Sequence, residues 1–165
     1  MAEMVYQRAR REAEKLLDQC WSGKYPVRLR PFNAEVGAKA YEGDLGDELS
    51  GVVSKEAGKP AKIIVNSQHV KRRKRFTWAH ELGHIVERRE LAGDDDYSFK
   101  ELSRGRGYDL HEFFADEFAG ALLMPQEKIL DMEEDGYSPV EMAEFFDVSV
   151  DAVKRRLKRL RKHPD

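Results

Sequence analysis

The 165-residue chain contains one cysteine, Cys20, so no disulfide can form within it. Its uninterrupted apolar runs are only a few residues long, far short of the ~20 residues that a membrane-spanning helix needs. The N-terminal segment mixes acidic with basic residues and contains no apolar stretch, which argues against a secretory signal. These absences predict a protein of a reducing compartment. We therefore expect a cytoplasmic location and no contact with a membrane.

The chain also lacks an excess of one charge, because 29 basic and 31 acidic residues give a formal net charge of −2. The overall field of the molecule therefore does not indicate a nucleic-acid partner. Charged residues nevertheless make up 36% of the chain, well above the usual ~25%. A chain of this length is expected to form about one domain with a core of its own.

Hydrophobic periodicity and turn residues predict an α+β fold that is mostly helical. We expect an amphipathic helix over residues 3–20, then a short helix that Pro31 opens and Gly37 closes. Three strands are expected to form a small antiparallel sheet, over residues 39–42, 51–55 and 62–66. The segment 92–108 is polar and rich in glycine, which predicts a loop or a small hairpin.

The second half of the chain is predicted to be helical apart from that loop. Apolar periodicity and capping residues place these helices over residues 70–89, 110–124, 125–135, 139–146 and 150–161. We divide the chain into a core over residues 1–136, which includes the N-terminal helix, and an extension over residues 137–165. This extension is a helix-turn-helix-like pair that we expect to pack on the core.

The sequence His80-Glu81-Leu82-Gly83-His84 is an H-E-x-x-H motif in the most apolar helix. Residues four apart share one helix face, so the two imidazoles can bind one metal ion in neighbouring positions. Glu81 turns partly away from that face and can accept a proton from water beside the metal. The motif recurs by chance in roughly 0.016 of chains with this composition, so its apolar context is needed to predict a metal site.

A catalytic zinc needs a third protein ligand besides two histidines. The helix over 110–124 carries Glu112 and Asp116 on one face among apolar residues, where two carboxylates repel each other unless a positive charge lies opposite. We expect Glu112 to bind zinc and Asp116 to accept an N–H from a ligating histidine. Two alternatives stay open: Glu112 could belong to an acidic capping box with Asp109, and Asp116 could itself be the ligand.

Three segments together resemble the ImmA/IrrE family of small zinc metallopeptidases over about residues 26–160. They are the strand Ile63–Asn66, the string Arg75–His84 (RFTWAHELGH) and the string Glu112–Pro125 (EFFADEFAGALLMP). Asp116 stands where that family usually has Asn. This departure brings the site closer to the general gluzincin pattern E-x-x-x-D.

The resemblance implies a minimal gluzincin core, with a helical bundle, a small three-stranded sheet and one Zn²⁺ per chain. It implies a zinc endopeptidase in which His80, His84 and Glu112 hold the metal, Glu81 is the general base and Asp116 supports a histidine. It also implies that the edge strand formed by Ile63, Ile64, Val65 and Asn66 pairs with an extended substrate. The implied substrate is a helix-turn-helix repressor, which gives the protein an anti-repressor role.

The sequence is also compatible with other interpretations. The C-terminal helices carry a basic run from Lys154 to Lys162, so the chain could be a DNA-binding regulator with a structural metal site. We favour packing of these helices on the core, with weak nonspecific DNA contact at most. The basic run 71–75 could attract an acidic substrate segment or DNA. Four side chains are candidates for stabilising the oxyanion: Tyr97, Arg104, Arg106 and Tyr108. The oligomeric state is not predicted.

Overall fold

A computed structural model describes residues 2–92, 95–102 and 108–165 of the chain, with the backbone alone for residues 90–92 and 99–102. The described ranges contain α-helices and one mixed sheet, which confirms the predicted α+β class. Arg104 and Arg106 lie outside these ranges. No helix within the described ranges has both the length and the apolar character needed to cross a bilayer.

The helices follow the predicted periodicity closely. They are α1 (Val5–Cys20), α2 (Arg30–Val36), α3 (Lys71–Val86), α4 (Leu110–Leu123), α5 (Gln126–Glu134), α6 (Pro139–Phe146) and α7 (Val150–Lys162). A π-helical turn over Glu87–Ala92 follows α3. Gly37 ends α2 in the left-handed conformation, and Ser138 opens α6 with a capping box.

Within the described ranges the sheet has four strands, one more than the sequence predicts. They are β1 (Ala38–Gly43), β2 (Leu49–Lys55), β3 (Ala61–Asn66) and β4 (Tyr97–Leu102), in the order β1-β3-β2-β4. The fourth strand falls in the segment predicted as a loop or hairpin, and it pairs antiparallel with β2. The expectation of an all-antiparallel sheet is wrong, because β1 pairs parallel with β3. The short helix α2 precedes β1 in the chain. From β1 the chain continues to β2 on the far side of β3 and then returns as β3, so β1 and β3 run in the same direction.

The prediction that Ile63, Ile64, Val65 and Asn66 form an edge strand is also wrong. These residues lie in β3, which pairs with β1 on one side and with β2 on the other. Both rows of backbone groups are therefore used within the sheet, so β3 cannot add a substrate strand. The burial of Ile63 and Val65 explains the strong strand signal, because this strand lies at the centre of the sheet.

The core lies between the sheet and the helices, and α3 is its central element. Helix α3 packs against β2 and β3 on one side and against α4 on another. The fully buried apolar side chains Leu82, Phe114, Phe118 and Leu122 belong to α3 and α4. Helix α1 covers the remaining side of α4. The nearly complete burial of α3 and α4 explains why their sequences are apolar almost all round.

The C-terminal helix α7 packs on α4, with Val153 and Leu157 buried. The turn between α6 and α7 places Asp147 at φ 55°, a conformation that Asp tolerates better than most residues. Its carboxylate lies 3.0 Å from Lys71 Nζ and 3.5 Å from Arg75 Nε. Arg75 also donates to the backbone oxygens of Val27 and Phe146, so the start of α3 is tied to this turn.

A buried ionic cluster joins α1, α4 and α7. Glu117 of α4 accepts from Arg10 Nε at 3.3 Å, and Arg156 and Arg159 lie 3.9 and 3.6 Å from the same carboxylate. Arg10, Glu117 and Arg156 are each no more than 4% exposed. Burial lowers the pKa of Arg156 to about 10, so its guanidinium stays charged at neutral pH. Part of the basic C-terminal run is therefore internal and cannot face solvent or DNA.

Candidate metal centre

Helix α3 brings His80 and His84 together because they are one helical turn apart on the face that contacts α4. Both side chains are buried, with exposed fractions of 4% and 0%. The two Nε2 atoms lie 3.1 Å apart, and the rings are inclined at 78° to each other. Two imidazole nitrogens so close in an apolar interior need a shared proton or a common cation.

Glu112 of α4 completes a triangle of donor atoms with these two histidines. Its Oε2 lies 3.0 Å from His80 Nε2, and its Oε1 lies 3.0 Å from His84 Nε2. Among the described residues, these three side chains form the group that could hold a metal ion, because one donor atom from each lies within 4.8 Å of the other two. The Asp109 side chain caps α4 by accepting from the Glu112 backbone N–H at 3.0 Å. That cap leaves the Glu112 carboxylate in the triangle.

The donor set fits a zinc ion. A tetrahedral ion with Zn–N and Zn–O bonds near 2.05 Å sets its ligand atoms about 3.3 Å apart, close to the observed 3.0–3.1 Å. Two imidazoles and one carboxylate are also the ligands found in catalytic zinc sites that keep an open position.

Asp116 lies on the other side of His80, with its Oδ1 2.8 Å from Nδ1. This contact assigns the Nδ1 proton, so the lone pair of Nε2 points into the triangle. Desolvation raises the pKa of Asp116, but the hydrogen bond to His80 and the charges of Arg159 and Arg155 outweigh it and lower the pKa overall. Asp116 is thus an anionic partner of His80, outside the triangle of donor atoms.

Arg159 of α7 connects the C-terminal helix to this carboxylate. Its guanidinium lies 3.8 Å from Asp116, donates to the Tyr108 hydroxyl at 3.1 Å and stands 5.1 Å from the centre of the Phe113 ring. In the sequence, Arg159 is one residue of a basic run. Its spacing of seven from the apolar Ala152 of the same helix is a weak sequence signal that it lies near the internal face.

Glu81 is fully buried and points toward the sheet. A Cβ atom built on Gly51 of β2 would lie 3.2 Å from Glu81 Oε1 and 2.6 Å from Thr77 Cγ2. Only glycine therefore allows β2 to lie this close to α3. Sequence reasoning missed Gly51, although a glycine inside a strand is a known sign of close backbone approach.

Gly83 has the corresponding role between α3 and α4. A Cβ atom built there would lie 3.0 Å from Ala115 Cα and 3.1 Å from Phe118 Cδ1. The two helices that carry the three candidate ligands are thus held at a separation that a methyl group would increase.

A cleft of about 720 Å³ opens beside His80, with Asp116 and Tyr108 in its wall. Desolvation and the Asp116 charge raise the pKa of Tyr108, so its phenol stays protonated and can donate a hydrogen bond. Tyr97 lies in β4 and is not among the residues that line this cleft. Arg72, Arg73 and Arg155 also line it and give it a basic rim.

The segment predicted to bind substrate is not part of the cleft. Asn66 is fully buried, and its amide donates to the Gly46 and Leu49 backbone oxygens at 2.8 Å each. Its Oδ1 accepts from the Gln68 backbone N–H at 3.0 Å. Asn66 therefore holds the loops around β3 in place.

Comparison with known proteins relates this chain to one domain family. The model of the IrrE N-terminal-like domain, Peptidase_M78, matches residues 28–158. Among solved structures, a Mycobacterium tuberculosis transcriptional regulator superposes with a TM-score of 0.55 at 18% sequence identity. The alignment covers 97% of this chain and 48% of that one, so the chain spans about half the length of the regulator. This likeness concerns the fold alone. No curated protein sequence matches the chain.

Proposed function

The chain belongs to the family of the IrrE N-terminal-like peptidase domain, and from that premise we propose that it is a zinc-dependent endopeptidase. Membership of this family supports a metallopeptidase activity. We further propose that the substrate is a helix-turn-helix repressor, which the protein inactivates in the cytoplasm by hydrolysing one peptide bond. The helices over 137–165 would then serve as a packed extension of the peptidase core.

One observation carries the proposal, namely the triangle of donor atoms on the buried His80 and His84 and the partly buried Glu112, at 3.0–3.1 Å. These three residues would hold one Zn²⁺. A bound ion supplies Lewis acidity, which polarises the scissile carbonyl and makes water acidic enough to be deprotonated near neutral pH.

The other residues have roles that follow from their positions. Glu81, next to His80 and buried, accepts the proton of the attacking water and passes it to the leaving amine. Asp116 fixes the tautomer and the orientation of His80 through the 2.8 Å contact. Tyr108 is the oxyanion donor that we favour, because its protonated phenol borders the cleft beside His80.

The test compares Glu81→Gln with Glu112→Gln in the full chain. Glu81→Gln should keep its zinc and its melting temperature, while cleavage should fall by the ~10²–10⁴ expected for loss of a general base. Glu112→Gln should lose zinc affinity as well, because a neutral amide is a poor zinc ligand. Zinc content, melting temperature and intact mass of candidate repressors from the same genome are measured for both variants and the wild type.

Two results would contradict the proposal. If Glu81→Gln cleaves as fast as the wild type, Glu81 is not the general base. If His80→Ala/His84→Ala protein contains as much metal as the wild type, the triangle is not the metal site. A third result would revise one ligand only: zinc retained in Glu112→Gln and lost in Asp116→Asn would exchange the roles of the two carboxylates.

A further inference from the structure

A second groove, separate from the cleft beside His80, lies on the opposite side of α3. Its volume is about 520 Å³, and three segments form its walls: residues 28–30, residues 40–42 of β1 and the N-terminal half of α3. Trp78 and Val65 also line it. We call this space the β1 groove. The residues of α3 that border it, including Lys74 and Trp78, differ from those that border the cleft.

The β1 groove follows the open edge of a strand. β1 is the last strand on its side of the sheet. The carbonyls of Gly37 and Gly43 accept hydrogen bonds from the β3 side, at 3.0 and 2.8 Å. Backbone groups alternate in direction along a strand, so those of Ala40 and Glu42, which line the groove, point away from β3 at the open edge of the sheet. Within the part of the chain that the structure describes, no backbone hydrogen bond reaches them from outside.

The walls of the β1 groove are strongly basic. Five cationic side chains border it against the single carboxylate of Glu42, and they are Arg28, Arg30, Lys71, Lys74 and Arg75. Lys74 pairs with Glu42, and Lys71 and Arg75 pair with Asp147, which is not among the residues that line the groove. Arg28 and Arg30 are exposed, and neither has an ionic or hydrogen-bonding partner among the described residues. Their charges face the groove uncompensated.

An exposed strand edge is normally protected, because it can pair with any extended chain. Here the edge is flanked by positive charge, which repels basic segments and attracts acidic ones. The edge supplies hydrogen bonds to a peptide backbone, and the arginines supply bidentate contacts to carboxylates. A nucleotide would use the charges but not the alternating N–H and C=O groups of Ala40 and Glu42.

We propose that the β1 groove is a docking site for an extended acidic segment of a protein partner, which adds as a strand to the free edge of β1. The site lies apart from the metal centre, so it would bind a partner without requiring catalysis. Cleavage of that partner would require the peptidase function proposed above. Docking at β1 does not require it.

The test measures binding of a labelled peptide to the full chain by fluorescence anisotropy. The Glu81→Gln variant is used so that no peptide is hydrolysed. The probe is a fluorescein-labelled Glu-Val-Glu-Val-Glu-Val peptide, and its Gln-for-Glu counterpart is the uncharged control. The acidic peptide should bind about tenfold tighter or more, since charge-assisted contacts are roughly twice as strong as neutral ones.

Two protein variants with equal loss of charge locate the site. Arg28→Ala/Arg30→Ala should weaken binding by about tenfold, as expected when two charged contacts are lost. Lys154→Ala/Arg155→Ala removes two exposed charges from α7, one of them at the metal cleft, and should change binding by less than about twofold. All four side chains are exposed, so both variants should fold, which circular dichroism checks.

Two N-methylated peptides test strand addition itself. One carries N-methyl groups on the valines and the other on the glutamates. In an added strand only alternate residues direct their N–H groups at β1, so one methylated peptide should lose binding and the other should keep it.

Three results would overturn the proposal. Equal losses in the two double variants would mean that the peptide responds only to overall charge or binds at the metal cleft. Binding unaffected by both methylation patterns would exclude strand addition. A single-stranded oligonucleotide of equal charge that binds more tightly and loses affinity in Arg28→Ala/Arg30→Ala would assign the groove to nucleic acid. None of these results depends on zinc or on peptide hydrolysis.

Discussion

Gly83→Ala should weaken metal binding by moving α4 away from α3. The added Cβ would lie 3.0 Å from Ala115 Cα and 3.1 Å from Phe118 Cδ1. Carbon atoms prefer separations near 3.5–4.0 Å, so α4 must recede by about 0.5 Å. Glu112 lies one turn before Ala115 on the same helix, so its 3.0 Å contact with His84 should lengthen by a similar distance. Metal sites tolerate changes of only about 0.2 Å in ligand distance.

Two opposing effects decide the stability of this variant. Replacing Gly by Ala inside a helix gains about 0.8–1 kcal/mol from propensity alone. Overpacking a well-packed interface costs about 1–3 kcal/mol, because the obstructing atom belongs to backbone and cannot rotate away. The metal-free variant should therefore be less stable than the wild type by roughly 0–2 kcal/mol. Its zinc affinity should fall by about tenfold or more, since the ligands no longer converge.

The matched control is Gly120→Ala on α4. A Cβ atom there would meet Arg156 Cδ at 3.3 Å, which is a side-chain atom with several rotatable bonds. Its stability should stay within about 1 kcal/mol of the wild type, and its zinc affinity should not change. Urea unfolding of the metal-free proteins and competitive zinc titration measure both quantities. Wild-type zinc affinity in Gly83→Ala would refute the idea that this helix contact sets the ligand geometry.

Three further predictions concern the C-terminal helices. Glu117→Ala should destabilise the protein by about 3–5 kcal/mol in urea unfolding, because it removes the carboxylate that the buried Arg10 and Arg156 share and leaves Arg10 with Asp165 as its ionic partner; a loss under about 1 kcal/mol would show that the cluster relaxes into solvent. Desolvation raises the pKa of Asp147, but Lys71, Arg75 and Arg72 outweigh it and lower the pKa overall in the folded protein. The Asp147 carboxylate therefore stabilises the fold at pH values above its unfolded pKa. This stabilisation decreases as the pH falls through the lowered pKa of the folded protein. Asp147→Asn should therefore lose about 1 kcal/mol at pH 7 and nothing at pH values below the folded pKa, whereas a pH-independent loss would point to the turn conformation. Duplex DNA should bind weakly and without sequence preference, with an affinity that falls steeply with salt; a tight, sequence-specific footprint at physiological salt would favour the DNA-binding regulator.

The sequence alone determined the local structure and the residue types of the site. Helix periods and caps such as Ser138 and Gly37 depend on neighbouring residues, so they could be predicted from short segments. The i, i+4 spacing of His80 and His84 is likewise a property of one helix. The prediction of Glu112 and Asp116 as their partners needed one further step, the expectation that two carboxylates in an apolar helix face a positive charge. The geometry agrees with that expectation, and the ligand roles stay predictions.

Only the tertiary structure decided the strand order, the contacts of α7 and the position of the second groove. The apolar run Ile63–Val65 predicts a strand but does not show whether it lies at an edge or inside the sheet, because pairing partners are distant in sequence. The segment that contains β4 is polar, so its composition does not predict a strand. It is a strand because its backbone pairs with β2. Arg159 and Lys158 are neighbours in one basic run, yet one reaches Asp116 and the other faces solvent. The charge of a residue is known from the sequence, whereas its partner depends on how the helices pack. The sequence therefore could not show which residues of the basic run have internal partners and which face solvent.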